Sequence, residues 1–64
     1  MKIKLYSRIS CAPCQTIKYW FQRKGIQYEE LDADEHGVAT TPTIEINGQK
    51  TPIQSITQLI RLLV

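Results

Sequence analysis

A short alternating run, Ile3-Lys4-Leu5-Tyr6, gives way within a few residues to a helical pattern, and both cysteines of the chain stand at that join, in Ser10-Cys11-Ala12-Pro13-Cys14. Alternation at period two marks a strand with one buried face. Beyond the cysteines, Ile17, Trp20, Phe21 and Lys24 share one face of a helix. Ser10 is read as its N-cap, Pro13 is tolerated in its first turn, and Gly25 supplies its stop. Ile26 to Leu31 then reads as a second strand. Strand, helix and strand in that order predict parallel pairing through a right-handed crossover. The same join carries chemistry. A thiolate at a helix start meets unpaired backbone N–H groups and the positive end of the helix dipole, which lowers its pKa. The second thiol, one turn further on, is near enough to close a disulfide with the first. The pair suits a reversible dithiol/disulfide couple.

The rest of the chain reads as one more strand pair and one more helix. Asp32 to Thr41 is short and polar, with room for one helical turn at most. Thr43-Ile44-Glu45-Ile46 alternates as a third strand, Asn47-Gly48 is a strong two-residue hairpin signal, and Gln49 to Thr51 begins a fourth strand. Thr51-Pro52-Ile53-Gln54 has the form of a capping box with proline at the first helical position. Ile53, Ile56, Leu59, Ile60 and Leu63 would then line one face of the last helix.

Length and composition narrow the function classes. Sixty-four residues make a single domain, 1–64, with no room for a second module. So short a chain buries only about 60% of the surface its unfolded form exposes, yet cysteines this close in sequence are a poor staple. The loop they close contributes roughly 2 kcal/mol, against ~3 kcal/mol for one of about fifteen residues. The pair is better explained by chemistry than by stability. Hydrophobic content of 42% and charged content of 22% fit a globular protein. A formal net charge of +2 is too mild to imply nucleic acid or a membrane surface. The N-terminus lacks the apolar run of a signal peptide, and no stretch approaches a membrane span. The expectation is a cytoplasmic protein, where thiols stay reduced and a Cys-x-x-Cys is catalytic or metal-binding.

Three segments together resemble the glutaredoxin branch of the thioredoxin-fold family. Tyr6-Ser7-Arg8-x-Ser10-Cys11-x-x-Cys14 is similar to its active-site approach, and Lys24-Gly25-Ile26-x-Tyr28-Glu29-Glu30 to its passage into the second strand. Gly37 to Gly48, with Thr41-Pro42-Thr43-Ile44 and Asn47-Gly48, is similar to its cis-proline segment and hairpin. The resemblance implies an α/β, thioredoxin-like fold, β-α-β-β-β-α, with a four-stranded mixed sheet and both helices on one face. It implies a thiol–disulfide oxidoreductase, reducing protein or glutathione mixed disulfides, in which Cys11 is the nucleophile and Cys14 the buried resolving thiol. By the same resemblance Pro42 is cis and aims the backbone of Thr41 at an extended substrate. Arg8 falls where the family often has a lysine that helps bind an anionic substrate and favours the thiolate.

Two departures from the family are specific. Glutaredoxins typically carry a Gly-Gly pair and then Asp between the hairpin and the last helix, holding the γ-glutamyl end of glutathione. Here the stretch is Gln49-Lys50-Thr51-Pro52-Ile53-Gln54-Ser55, in which Gln54 and Ser55 are the candidates to take over. Two electron sources therefore stay open: glutathione, or a thioredoxin-type flavin disulfide reductase. The family's helix between the second strand and the cis-proline is also missing. The sheet face it would cover is expected to be a wet, charged lattice, with Lys2, Lys4 and Tyr6 on one strand and Thr43 and Glu45 on another. The expected partners are disulfide-containing proteins, with no bound cofactor, no nucleic acid and no membrane, and the chain a monomer. A second class of function uses the same cysteines to hold zinc or an iron–sulfur cluster. With two cysteines and the distant His36, four ligands would require a shared site across a dimer. A binding adaptor with a vestigial site is the third. Trp20 and Phe21 are read as packing residues and His36 as solvated; Tyr6 either borders the active site or is an ordinary sheet tyrosine.

Overall fold

The computed structural model describes residues 2–63. Its layering follows from the alternation in β1 (Ile3–Ser7). Ile3 and Leu5 are buried on one face of this strand, and Lys4 and Tyr6 lie on the other. α1 (Ala12–Lys24) follows, then β2 (Glu29–Asp32), β3 (Thr43–Ile46), β4 (Gln49–Pro52) and α2 (Ile56–Leu63). The sheet has four strands in the order β2-β1-β3-β4. β1 runs parallel to β2 and antiparallel to β3, and β3 runs antiparallel to β4. One core joins Ile3, Leu5 and Ile44 of the sheet to Ile17 and Phe21 of α1, Leu59 of α2 and Ile53 just before it. Both helices therefore pack on the same sheet face. Phe21 is the largest wholly buried side chain. Losing such a ring costs about 3–5 kcal/mol, a large share of the roughly 3–10 kcal/mol that a domain of this size commands.

Several element boundaries differ from the sequence reading, each for a local reason. α1 is capped by Cys11, not Ser10: Cys11 is extended (φ −91°, ψ 103°) and its Sγ accepts the Cys14 N–H. The Cys11 N–H in turn donates to the carbonyl of Arg8, which leaves Ser10 in the turn between them. Pro13 falls in the first helical turn, where its missing N–H has no carbonyl to lose. At the other end Gly25 is left-handed (φ 67°), its N–H donates to Gln22, and the Ile26 N–H donates to Phe21. That pair of bonds is a Schellman stop, accompanied by packing of Ile26 on the core. Ile26 is thus spent on ending the helix, and β2 begins at Glu29, three residues later than the sequence pattern suggests.

α2 begins later as well. Thr51 and Pro52 are not a helix start; they pair with Ile44 and Thr43 as the end of β4, an edge strand that can spare the proline's N–H. The helix starts at Ile56, with the Ser55 hydroxyl accepting the Gln58 N–H. Ile53 reaches the core from the preceding turn, and Ile60 lies outside the buried face, at 38% exposure. The hairpin turn at Asn47-Gly48 has both residues at positive φ, 52° and 90°, as a two-residue turn between twisted strands requires.

The second sheet face is polar but only partly wet. Register sets Lys4 opposite Glu45, with Nζ and Oε2 3.7 Å apart. Tyr6 and Thr43, expected to be exposed, are 4% and 3% exposed. The 33–37 turn folds back over this end of the face, bringing His36 edge-on to Tyr6 with ring centroids 5.7 Å apart. The Tyr6 hydroxyl donates to Glu45, and the Lys50 ammonium lies 5.4 Å from the Tyr6 ring. Thr43 Oγ1 donates to the Thr40 carbonyl.

Candidate functional site

Two sulfurs at the start of α1 meet different surroundings. Cys11, at the cap, is half-buried; Cys14, one turn later, is wholly buried against the core. They are paired as a disulfide with Cα atoms 5.3 Å apart. Ile17, Trp20, Phe21 and Lys24 share one face of α1 in the sequence pattern, and the resemblance adds a buried Cys14. The buried members are Cys14, Ile17 and Phe21, with Trp20 partly covered and Lys24 exposed.

A groove of about 380 Å³ opens at the first turns of α1, lined there by Ala12, Pro13, Thr16 and Ile17. Ala12 and Pro13, between the cysteines, form one side with Ile17, and Pro42 faces them. Ile53, Gln54, Ser55 and Ile56 complete it. The Thr41–Pro42 peptide is cis, with Pro42 buried and Thr41 half-buried. Thus the fold gathers Pro42, Gln54 and Ser55, which lie apart in sequence, around one depression with Ala12 and Pro13, the two residues between the cysteines; Cys11 and Cys14 themselves do not line it.

Gln54 and Ser55 line the groove, and Gln58 already takes up part of their polar groups. The Gln54 N–H donates to Gln58 Oε1 at 2.8 Å, and Ser55 Oγ accepts the Gln58 N–H at 3.2 Å. Gln58 Nε2 also donates to the Pro52 carbonyl at 3.0 Å. Gln58 was not among the residues singled out from sequence. Its signal was present as Ser55-x-x-Gln58, a capping-box spacing four residues after the one that was read.

Arg8 lies outside the groove and faces the 33–41 loop. Its Nε donates to Asp34 at 2.9 Å, and its two terminal nitrogens donate to the carbonyls of Ala39 and Val38 at 3.0 Å each. A second, more polar hollow of about 600 Å³ lies on this side, between the 8–10 turn, α1 and β2. Ser7 and Lys18 both donate to Glu30 there, at 2.8 and 3.0 Å. The Lys18 bond first, and then the Ser7 bond, hold the Glu30 carboxyl below its ordinary pKa. On the opposite sheet face the Tyr6 bond does the same for Glu45, and that bond together with burial raises the Tyr6 hydroxyl. Among the described residues no group of three or more His, Cys, Asp or Glu side chains is placed to hold a metal ion. His36 is engaged with Tyr6. No helix among the described residues is long and apolar enough to cross a membrane.

This arrangement is that of thiol–disulfide redox proteins with a thioredoxin-like fold. The thioredoxin-like protein BC3987 superposes with a TM-score of 0.78 at 26% identity, over 95% of this chain and 99% of that one. A point mutant of BC3987 gives 0.80 at 27% identity, over 98% and 100%. No curated protein matches the chain. The glutaredoxin family model matches residues 3–51, and the chain belongs to that family.

Proposed function

We propose that the protein reduces disulfides in other proteins, with Cys11 as nucleophile and Cys14 as resolving thiol, and that a thioredoxin-type flavin disulfide reductase returns it to the dithiol. The asymmetry of the two sulfurs carries this reading: the half-buried one stands at a helix cap beside a groove, and its partner is sealed in the core. In the reduced protein the Cys11 thiolate attacks one sulfur of the substrate disulfide. A mixed disulfide forms, and the other substrate sulfur leaves as a thiolate and takes up a proton. Cys14 loses its proton and attacks Cys11 Sγ, closing the intramolecular disulfide and releasing the second substrate thiol. Two electrons pass to the substrate, and the two cysteines end oxidised. The Cys14 N–H directed at Cys11 Sγ supports the thiolate by a charge-assisted bond. A polypeptide substrate lies extended in the groove between Pro13 and Pro42, with the Thr41 backbone alongside.

The choice of reductase over glutathione rests on Gln58. A glutathione carboxylate at the 52–55 turn would look first to backbone donors there, and the Gln54 N–H already donates to Gln58 Oε1. That leaves it the Gln54 side-chain amide and the Ser55 hydroxyl, whose oxygen caps α2. The cytoplasm, where thiols are kept reduced, suits such a cycle. Insulin reduction with each recharging system supplied separately tests the proposal. Turnover is expected with a thioredoxin-type reductase and NADPH. Turnover with glutathione and its reductase alone would overturn the electron source, and turnover with neither would overturn the activity.

A further inference from the structure

The segment from Val38 to Pro42 belongs to no helix or strand, yet nearly all its carbonyls are tied down. Val38 and Ala39 accept from Arg8, Thr40 accepts from Thr43 Oγ1, and Pro42 accepts from the Ile53 N–H. Among the described residues, Thr41 is the one member of this run whose carbonyl has no hydrogen-bond donor, and its N–H is likewise unbonded. Two of the four ties come from one side chain. Arg8 also holds the other side of the site, because its own carbonyl accepts the Cys11 N–H at 3.2 Å. A single residue at the end of β1 thus binds the turn that carries the nucleophile and the loop that carries Thr41.

We propose that Arg8 is a positioning residue: its guanidinium clamps the consecutive carbonyls of Val38 and Ala39, and so fixes where Thr41 stands relative to Cys11 for an extended disulfide substrate. This rests on the function proposed above, in which the Thr41 backbone meets the substrate. It differs from the role the family resemblance gives this position, a positive charge offered to an anionic ligand or to the thiolate. Two observations separate them. The guanidinium charge is matched locally by Asp34 at 2.9 Å, which weakens its field at Cys11. The contacts also need a planar fork, with one nitrogen for each of two successive carbonyls and a third for Asp34. A lysine supplies the charge with a single nitrogen and cannot span all three acceptors.

The test compares Arg8→Lys and Arg8→Ala with the wild type in three measurements. The first is kcat/KM for insulin reduction, where both variants are expected to fall together, by up to about 10²-fold, the cost of misplacing a contact by an ångström. The second is the pH midpoint of Cys11 alkylation by iodoacetamide in the reduced proteins, which is expected to stay in place in both. The third is amide exchange at Val38 and Ile53, whose N–H groups donate to the Ala33 and Pro42 carbonyls at the two ends of the clamped loop, expected to quicken in both while exchange in β1 and β3 is unchanged. Wild-type kcat/KM in Arg8→Lys would overturn the clamp in favour of charge, as would an alkylation midpoint displaced in Arg8→Ala and restored in Arg8→Lys. If Arg8→Ala does not fold, Arg8→Lys alone decides. Should the wild type reduce no protein disulfide, the proposed function fails; the exchange measurement still judges the clamp, and unchanged exchange in Arg8→Lys overturns it.

Discussion

The two sides of the groove treat their polar backbone in opposite ways. Along 38–42, donors from Arg8, Thr43 and Ile53 gather up the carbonyls around Thr41 and leave Thr41 itself unbonded among the described residues. Along 52–55, one side chain, Gln58, folds back to take the Gln54 N–H and the Pro52 carbonyl, and the helix cap uses Ser55. One side offers the edge of a peptide unit, which another extended chain can match. The other has its backbone turned inward and offers apolar surface with the side chains of Gln54 and Ser55. The difference teaches that the selectivity of such a groove lies in which hydrogen bonds the protein has already made with itself. A side chain that satisfies a turn internally removes a binding site as effectively as a deletion would.

Four experiments bear on this contrast, and the largest effect comes from the sulfur between the two sides. Cys11→Ser is expected to abolish insulin reduction; residual turnover near the wild-type rate would mean that neither side flanks the reacting atom. Next is Ile53→Ala. The Ile53 N–H holds the Pro42 carbonyl at 2.9 Å while its side chain sits in the core, so this residue ties the two sides together. Its truncation should cost about 2–5 kcal/mol in urea unfolding. A loss under about 1 kcal/mol would place it at the level of a surface substitution.

Gln58→Ala sharpens the contrast most directly. It should cost about 1 kcal/mol, as lost caps do, and it leaves the Gln54 N–H without its partner. Measurable turnover with glutathione is expected to appear in this variant and not in the wild type. Equal glutathione dependence in the two would show that the inward-turned side is not what excludes it. The smallest effects belong to ion pairs away from the groove. Glu30 and Glu45 have lowered pKa values in the fold, so their contribution to stability is present above about pH 4.5 and lost as pH falls through the lower folded values. Tyr6 has a raised pKa, so its contribution holds below pH 10.0 and is lost as pH rises through the folded value. Thermal midpoints measured across pH should therefore fall at both ends. The profile of Gln58→Ala should be displaced downward without change of shape, since the hydrogen bonds of Gln58 go to Gln54, Ser55 and Pro52.

What could be read from sequence was local. The change of period at Tyr6, the Cys-x-x-Cys spacing, Asn47-Gly48 and the helix stop at Gly25 are each decided within a few residues, and each stands in the structure where it was read. Capping was legible in kind but not in place. Ser10 and Cys11 compete for one cap, and Thr51-x-x-Gln54 and Ser55-x-x-Gln58 offer two starts for one helix. The choice was made elsewhere, by Arg8 accepting from Cys11 and by the pairing of Thr51 with Ile44. Burial of Tyr6 and Thr43 was not legible, because His36 reaches Tyr6 from the 33–37 turn and Thr43 is bonded to the Thr40 carbonyl of the loop before it. The partners of Arg8 were hidden for the same reason: Asp34, Val38 and Ala39 lie about thirty residues away and present mostly backbone.

The strand order has a consequence for life at high concentration. A four-stranded sheet left open at both margins presents β2 and β4 as templates on which another chain could build. β2 carries Glu29, Glu30 and Asp32 among its four residues, and Lys18 answers only one of these carboxylates. Two copies meeting margin to margin along β2 would set carboxylate against carboxylate with no cation between most of them. At the far margin Pro52 removes a donor where β4 ends, and Lys50 adds a charge that would have to be stripped of water. The chain thus guards both flanks against stacking into ribbons, and it does so with residues that the redox chemistry never touches.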